Sequence, residues 1–229
     1  MKRLFITAAG TEIGKTFVTA LLVRQFRARG MTVRALKPVI SGFSQASLPE
    51  SDTKLLLDAM SMPVTAQNMD LVSPWRFAAP LAPSMAARLE GRTLDLLELV
   101  AFCRQAGQGA EEFLLIEGVG GVMAPLNDTH TVRDWIKRLE IPALLVGASY
   151  LGGISHTLTA LEALRGSGIA VAGIVVSESA DSSVPLDDTV ADIVRFSHGV
   201  RVRALPRILD IGQAPDITYL VNQTPKDTG

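Results

Sequence analysis

Residues 8–16 read Ala8-Ala9-Gly10-Thr11-Glu12-Ile13-Gly14-Lys15-Thr16, and they set the architecture of the chain. An apolar run at 4–7 predicts a strand before them, and apolar residues at helical spacing over 16–29 predict a helix after them. A strand, a glycine-rich loop and a helix in this order are typical of a phosphate-binding loop, whose backbone N–H groups face phosphates. In such a loop Lys15 adds a positive charge and the Thr16 hydroxyl can bind Mg²⁺. The strict motif has glycine at position 9, where this chain has alanine.

Strand-like and helix-like segments alternate along the rest of the chain. Further strands are predicted at 32–36, 113–116, 143–146, 171–176 and 200–205. Helices are predicted at 52–60, 131–139, 156–165 and 188–196, and from a cap at Thr93 to about 106. Such alternation builds βαβ units, so we predict one α/β domain over 1–229, a mostly parallel sheet with helices on both faces. An ordered loop is predicted at 73–83 and a frayed tail at 223–229.

The composition excludes several classes of protein. With 48% hydrophobic residues among 229, the chain can bury a core, which excludes intrinsic disorder. The 22 basic and 23 acidic residues leave a net charge of −1, so no bulk charge favours nucleic acid. The single cysteine, Cys103, favours a reducing compartment, and no apolar run approaches the ~20 residues of a membrane span. We therefore expect a cytoplasmic protein without nucleic-acid or membrane partners.

Charged residues follow two of the predicted strands. Lys37 opens the segment Lys-Pro-Val-Ile-Ser-Gly at 37–42, and Glu117 opens Glu-Gly-Val-Gly-Gly at 117–121. Taken alone, each of these two residues is explained as an ordinary solvent-exposed charge. The carboxyl ends of parallel strands share one edge of the sheet, however, and ligands bind at that edge. A second cation can stabilise charge that develops during phosphoryl transfer, and a carboxylate beside a phosphate loop suits Mg²⁺. Asp52, at the start of a predicted helix, is a second candidate acid. Together these residues predict a nucleotide-dependent site.

The order and spacing of several motifs resemble one family, the dethiobiotin synthetases, over residues 2–206. The motifs that carry the resemblance are Gly10-Thr11-Glu12-Ile13-Gly14-Lys15-Thr16, Lys37-Pro38-Val39 with Ser41-Gly42, Ser51-Asp52, Pro80-Leu81-Ala82-Pro83, Glu117-Gly118-Val119-Gly120-Gly121 with Pro125-Leu126, and Leu151-Gly152-Gly153-Ile154-Ser155-His156. The resemblance implies a P-loop NTPase-like domain and a homodimer. It also implies ATP- and Mg²⁺-dependent closure of a ureido ring from 7,8-diaminononanoate and CO₂, through a carbamate and a carbamic–phosphoric anhydride.

The resemblance also assigns roles to individual positions. Catalytic roles fall to Lys37, Lys15 and Thr11. The implied substrate contacts are Ser41, Lys37, Gly152, Gly153 and Ser155. The implied metal ligands are Thr16, Asp52 and Glu117. The implied nucleotide contacts are Glu12, Ile13, Gly14, Lys15, Thr16, Phe17, Asp52, Glu117, Gly118, Val119, Gly120, Ser177, Pro206, Arg207 and Ile208.

Four positions depart from the family pattern. Ala8 replaces the usual loop-opening glycine, and Ser177 stands where many members have an asparagine that reads adenine. Ser155 stands where an asparagine often faces the diamine carboxylate, and no tyrosine lies near Thr189, where some members use one for the substrate. These departures concern the contacts to the base and to the substrate rather than the phosphate chemistry.

Three other functions share parts of this pattern. Switch ATPases of the partition, septum-site or nitrogenase-iron-protein type have the same architecture, but they carry Lys-Gly-Gly where this chain has Gly10-Thr11-Glu12. Cobyrinate amide synthetases append a glutaminase domain with a nucleophilic cysteine, which this chain lacks. A nucleotide-binding module without catalytic activity would bind ATP and show no diamine-dependent turnover.

Overall fold

The computed structural model describes residues 1–180, 182–208 and 211–221. Eight strands are present in these residues: β1 (Lys2–Ala8), β2 (Val33–Leu36), β3 (Val39–Ser41), β4 (Trp75–Phe77), β5 (Phe113–Glu117), β6 (Ala143–Ala148), β7 (Val171–Ser177) and β8 (Val202–Leu205). Eight α-helices accompany them: α1 (Lys15–Ala28), α2 (Asp52–Ala59), α3 (Ala66–Val72), α4 (Pro83–Leu89), α5 (Leu96–Ala106), α6 (Val132–Leu139), α7 (Gly153–Arg165) and α8 (Leu186–Phe196). Three short 3₁₀ helices lie at Leu48–Glu50, Ile211–Gln213 and Thr218–Leu220.

Six strands form one sheet in the order β2-β5-β1-β6-β7-β8, and every neighbouring pair in it is parallel. The two short strands β3 and β4 form a second parallel pair. The chain starts in the middle of the main sheet, so the loop after β1 emerges between the ends of β5 and β6. Ligands of such sheets bind at the carboxyl ends of the strands, where the strand order reverses.

Helices cover both faces of the main sheet, as predicted. Alternate strand residues point to opposite faces, so Leu4 and Ile6 pack towards α1, α2 and α3 while Phe5 packs towards the helices of the other face. On that other face the Phe5 ring meets the edge of the Trp135 ring from α6, with 4.9 Å between centroids. The strands are thus packed on both faces, and the sheet places the residues at their carboxyl ends along one edge.

Local sequence signals account for most element boundaries. Ser51 caps α2 and accepts a hydrogen bond from the Lys54 N–H, as predicted, and Gly30 follows α1 with φ +76°. The expected cap at Thr93 is wrong, because the Asp95 carboxylate accepts the N–H groups of Leu97 and Glu98, and α5 begins only after it.

Several short elements were not predicted. The loop expected at 73–83 contains β4, and α4 begins at its last residue. Helix α3 was not predicted either, and α7 begins at Gly153 rather than at 156. The tail predicted at 223–229 lies outside the described residues. Within the described parts of the chain, no helix combines the length and apolar character needed to cross a membrane.

Candidate active site

The loop at 9–14 joins the buried strand β1 to helix α1. Its backbone is anchored to the neighbouring strand, because the Ala9 N–H donates to the Val146 carbonyl at 2.9 Å. Gly14 ends the loop with φ +92°, a conformation that disfavours any side chain, and a Cβ there would lie 3.0 Å from the Ser177 hydroxyl. The Lys15 ammonium turns back and donates to the Gly10 carbonyl at 2.9 Å. The loop thus has the shape of a phosphate cradle at a helix N-terminus.

A compact cluster of charges lies beside this loop. The buried Lys37 ammonium lies 2.6 Å from Glu117 Oε1 and 2.9 Å from Asp52 Oδ2, and it reaches the Gly118 carbonyl at 3.3 Å. The Thr16 hydroxyl donates to the same Glu117 Oε1 at 2.7 Å. Strands β2 and β5 deliver Lys37 and Glu117, and the first turns of α1 and α2 deliver Thr16 and Asp52. Residues far apart in sequence therefore meet at one edge of the sheet.

The two lysines of the site differ in their electrostatics. Burial chiefly lowers the pKa of Lys15, to about 8; the neighbouring Lys37 charge also lowers it, and the Glu117 and Asp52 carboxylates oppose the shift. Burial also acts to lower the pKa of Lys37, but the Glu117 and Asp52 carboxylates outweigh it and hold this pKa above its ordinary value. For Asp52, burial acts to raise the pKa, and the Lys37 ammonium outweighs it, so the pKa lies below its ordinary range. Lys37 therefore keeps its proton at any physiological pH.

The predicted metal ligands fit a hard divalent cation. Glu117 is fully buried, yet its Oε2 has no hydrogen-bond partner among the described residues. A buried carboxylate oxygen without a partner is costly, and a cation or an ordered water satisfies it. Asp52 and the Thr16 hydroxyl supply two further oxygens beside it, and oxygen ligands of this kind suit Mg²⁺. The described residues contain no cluster of three or more His, Cys, Asp or Glu side chains that could hold a metal ion.

Two clefts open on either side of the loop, and Glu12, Gly14 and Phe17 line both of them. The first cleft, of about 690 Å³, contains the two lysines and Asp52. Its other lining residues are Thr11, Thr16, Ile40, Ser41, Pro80, Leu81, Ala82, Pro83, Val119, Gly120 and Ala124. The second cleft, of about 570 Å³, is lined in addition by Ile13, Ala148, Tyr150, Ser177, Glu178, Ser179, Ala180, Leu205, Pro206, Arg207 and Ile208.

The second cleft contains the residues expected around the nucleotide base. Ser177 ends β7, and Arg207 in the segment after the neighbouring strand β8 lines the same cleft. The Arg207 N–H donates to the Glu178 carboxylate at 2.7 Å, which ties the two segments together. The two clefts and the loop between them can thus hold an elongated ligand with a phosphate chain at its centre.

Three predicted substrate residues lie apart from the first cleft. Gly152 precedes α7 and caps it with φ +96°, and Gly153 and Ser155 belong to its first turn. None of the three lines the first cleft of the same chain. Local backbone geometry requires glycine at both 152 and 153. Gly152 has positive φ, and a Cβ on Gly153 would lie 2.1 Å from the Ala148 carbonyl oxygen.

The sequence analysis missed several lining residues. Tyr150 and Glu178 follow β6 and β7 at the ligand edge of the sheet, so their position after a predicted strand was an available signal. The Tyr150 hydroxyl is hydrogen-bonded to His156 Nδ1 at 2.6 Å. The residues at 80–83 were noted only as a motif, although they form one wall of the first cleft. The sequence of a proline-rich loop does not indicate which part of the structure the loop packs against.

Comparisons with known proteins show which family the chain is related to. The family described as "AAA domain" matches residues 2–218. A protein of Methylobacterium nodulans named "ATP-dependent dethiobiotin synthetase BioD" is 50% identical over 212 residues, covering 90% of this chain and 94% of that protein. A protein of the same name from Acidiphilium cryptum is 46% identical, covering 94% of this chain and 95% of its own length.

Solved structures share the fold at low sequence identity. The MinC:MinD cell division complex of Aquifex aeolicus matches with a TM-score of 0.58 and 13% identity, covering 91% of this chain and 83% of that one. The signal recognition particle receptor FtsY of Elizabethkingia anophelis matches with a TM-score of 0.54 and 10% identity, covering 97% of this chain and 64% of that one. Such identities establish the fold alone, so they do not favour the switch-ATPase alternative. From its relatives and its phosphate loop, the chain belongs to the ATP-dependent dethiobiotin synthetase family.

Proposed function

We propose that this protein closes the ureido ring of dethiobiotin from 7,8-diaminononanoate and CO₂, with ATP as co-substrate and Mg²⁺ as cofactor. The names of its relatives support the reaction. The observation that carries the proposal is the cluster of Lys37, Glu117 and Asp52 beside Lys15, at the inner end of a cleft that adjoins the phosphate loop. This arrangement combines a place for phosphates, a place for a cation and space for a small substrate.

ATP lies across the loop in this proposal. Its base occupies the second cleft among Ser177, Pro206, Arg207 and Ile208, and its phosphates pass along the backbone N–H groups of residues 12–17. The γ-phosphate then points into the first cleft, towards Lys15 and the segment at 118–120. The loop residues that line both clefts make this path continuous.

Thr16, Asp52 and Glu117 would hold Mg²⁺, and the unpartnered Oε2 of Glu117 supports this assignment. The ion would supply positive charge beside the phosphate oxygens and so stabilise the phosphoryl group in transfer. The protein contributes the placement of the three ligands, because α1, α2 and β5 bring them to one point.

The chemistry needs little covalent help from the protein. One amine of the diamine adds to CO₂, loses a proton and becomes a carbamate. A carbamate oxygen attacks the γ-phosphorus, the bond from phosphorus to the ADP oxygen breaks, and a carbamic–phosphoric anhydride forms. The second amine attacks the carbonyl carbon and loses a proton, the bond from this carbon to the phosphate oxygen breaks, and the ring closes as phosphate leaves. Lys15 and Lys37 stabilise the negative charge in these steps, and Thr11 and Ser41 contact the carbamate or the diamine.

We propose further that two chains form a homodimer and that Gly152, Gly153 and Ser155 contact the diamine carboxylate of the partner's site. Their distance from the first cleft of their own chain supports this, and a helix N-terminus suits a carboxylate. In the same proposal the enzyme is cytoplasmic and residues 1–229 form one domain. The match of one family over 2–218 supports the single domain.

One assay tests the function. Phosphate release from ATP is measured with Mg²⁺ and bicarbonate, with and without 7,8-diaminononanoate, and the product is identified by mass. We expect phosphate release to depend on the diamine and to equal dethiobiotin formation one to one. An ATP hydrolysis rate that does not depend on the diamine but increases with a protein partner would instead support a switch ATPase. ATP binding without turnover would support a nucleotide-binding module.

A further inference from the structure

Lys37 has no hydrogen-bond capacity left for a substrate. An ammonium group donates three hydrogen bonds and accepts none. In this structure its three acceptors are Glu117 Oε1, Asp52 Oδ2 and the Gly118 carbonyl, at 2.6, 2.9 and 3.3 Å. Lys37 also lines the first cleft, where the proposed function requires it to stabilise a phosphoryl group. It can do so only after it releases at least one of these three acceptors.

The carboxylates that hold Lys37 are the ones assigned to the metal. Glu117 Oε1 accepts from both Lys37 and Thr16, while Oε2 of the same buried group has no partner among the described residues. Lys15 and Lys37 balance the charges of Asp52 and Glu117 in this state. A divalent cation that arrived alone would give the cluster two surplus positive charges in a buried place, which is unfavourable. A cation that arrives with the negatively charged nucleotide does not meet this penalty.

We propose that in the nucleotide-free protein the Lys37 ammonium occupies the position of the divalent cation beside Glu117 and Asp52. When the cation binds together with the nucleotide, Lys37 moves from these carboxylates to the transferring phosphoryl group. The inference rests on the proposed function, which assigns the metal ligands, and adds the exchange of Lys37 between two sets of partners. Two consequences follow. Without nucleotide the cluster of Lys15, Lys37, Asp52 and Glu117 stays neutral and ordered, and the cation binds weakly because Lys37 competes for the same oxygens.

The first test measures metal binding without nucleotide. Metal-free protein is titrated with Mn²⁺, a probe for the Mg²⁺ site, and free Mn²⁺ is measured by electron paramagnetic resonance. The variants are Lys37→Met and Lys15→Met, each of which removes one cation from the same cluster. Lys15 donates to the Gly10 carbonyl and not to a carboxylate, so its variant controls for the general loss of positive charge.

We expect Lys37→Met to tighten Mn²⁺ binding at least tenfold, which corresponds to about 1.4 kcal/mol, and Lys15→Met to tighten it less than threefold. Equal tightening by both variants would mean that Lys37 acts only through its charge, and no tightening would mean that it does not compete; either result overturns the proposal. The titration is repeated with a non-hydrolysable ATP analogue. If wild-type protein binds no Mn²⁺ even then, the metal assignment of the proposed function fails as well, whereas normal binding with the analogue limits the failure to the exchange.

A second measurement uses wild-type protein and does not depend on the folding of a variant. With ¹⁵N-labelled lysine, an ammonium group held by three acceptors exchanges its protons slowly and gives an observable signal, which selective relaxation assigns to Lys37. We expect the Lys37 signal to persist when Mg²⁺ is added alone at millimolar concentration, and to shift when Mg²⁺ and the ATP analogue are added together. An unchanged signal in the ternary complex would overturn the proposal.

Discussion

Lys37 and Glu117 stand side by side at the ends of two neighbouring parallel strands, with Nζ and Oε1 2.6 Å apart. Strands β2 and β5 pair Leu36 with Ile116, so the next residue of each strand lies at the same level of the sheet. Both side chains are buried, and a buried charge is costly once its partner is removed. The register of the sheet thereby links the stability of the protein to the electrostatics of its active site.

The two lysines should have separable roles. We expect Lys15→Ala to weaken ATP binding about 30-fold, since a charged hydrogen bond is worth roughly 2 kcal/mol. Lys37→Ala should leave ATP affinity within about threefold and lower kcat by ~10²–10³, as for other groups that act on developing charge. Calorimetry gives the affinities and phosphate release gives kcat. Equal losses of ATP affinity in both variants would contradict these roles.

Glu117→Gln should affect both the metal and the fold. It keeps the size of the side chain, removes a charge from the metal site and leaves Lys37 with fewer partners, so we expect a loss of roughly 3 kcal/mol in the free energy of unfolding. The half-exposed Asp52 should matter less for stability, and Asp52→Asn should cost ~1 kcal/mol or less. Both variants should need about tenfold more Mg²⁺ for half-maximal turnover. A variant with the wild-type Mg²⁺ dependence would lose its assignment as a ligand.

ATP binding should weaken as pH rises above about 8. The pKa of Lys15 is lowered to about 8 in the free protein, chiefly by burial, and bound phosphates favour its charged form. Binding above that pH must therefore take up a proton, and affinity should fall by up to tenfold per pH unit. Between pH 8 and the ordinary lysine pKa, Lys15 of the nucleotide-free protein is protonated in the unfolded state but not in the folded state. The stability of the folded protein therefore rises with pH in that window.

The measurement is calorimetry without Mg²⁺, in buffers of different ionisation enthalpy, which reports proton uptake directly. Lys15→Arg is the matched control, because arginine keeps its charge throughout this range. Its ATP affinity should show no decline that begins near pH 8. A decline of the same size in the arginine variant would assign the titration to another group.

Base selectivity should be relaxed. Ser177 lies in the second cleft where many family members have asparagine, and one short hydroxyl cannot both accept from and donate to an adenine edge. A site that satisfies few base hydrogen bonds rejects the wrong base weakly, so CTP and GTP should support ring closure with a penalty of ~10-fold or less, about 1.4 kcal/mol. The ratios of kcat/KM test this under saturating diamine. A preference for ATP above about a thousandfold would show that other residues read the base.

The proposed homodimer should depend on the surface around the start of α7. Leu151 is 86% exposed in the single chain and immediately precedes Gly152, so Leu151→Glu should give a monomer that loses at least ~90% of its diamine-dependent turnover if the partner completes the site. Leu97→Glu, on the exposed side of α5, is the control and should remain a dimer. Sedimentation and turnover are measured at the same protein concentration. A fully active monomer would reject the shared site.

The sequence by itself determined the layered architecture and the phosphate loop. Short segments rich in apolar residues mark the buried parallel strands, and Gly14 is required by a backbone angle that few other residues adopt. These signals are local, so they can be recognised without knowing which segments lie next to each other in the fold. For the same reason the three-residue strands β3 and β4 were missed, since so short a segment has no detectable period and is stabilised only by its pairing.

The tertiary structure alone decided how the charged residues meet. The sequence placed Lys37 and Glu117 at strand ends, but only the strand order, with β5 next to β2, brings their charges to 2.6 Å. Only the structure reveals that Lys37 is saturated by three acceptors while one oxygen of Glu117 has none. Such facts depend on distances between segments 80 residues apart, which no local pattern encodes, because electrostatic energy is set by spatial separation and burial and not by position along the chain.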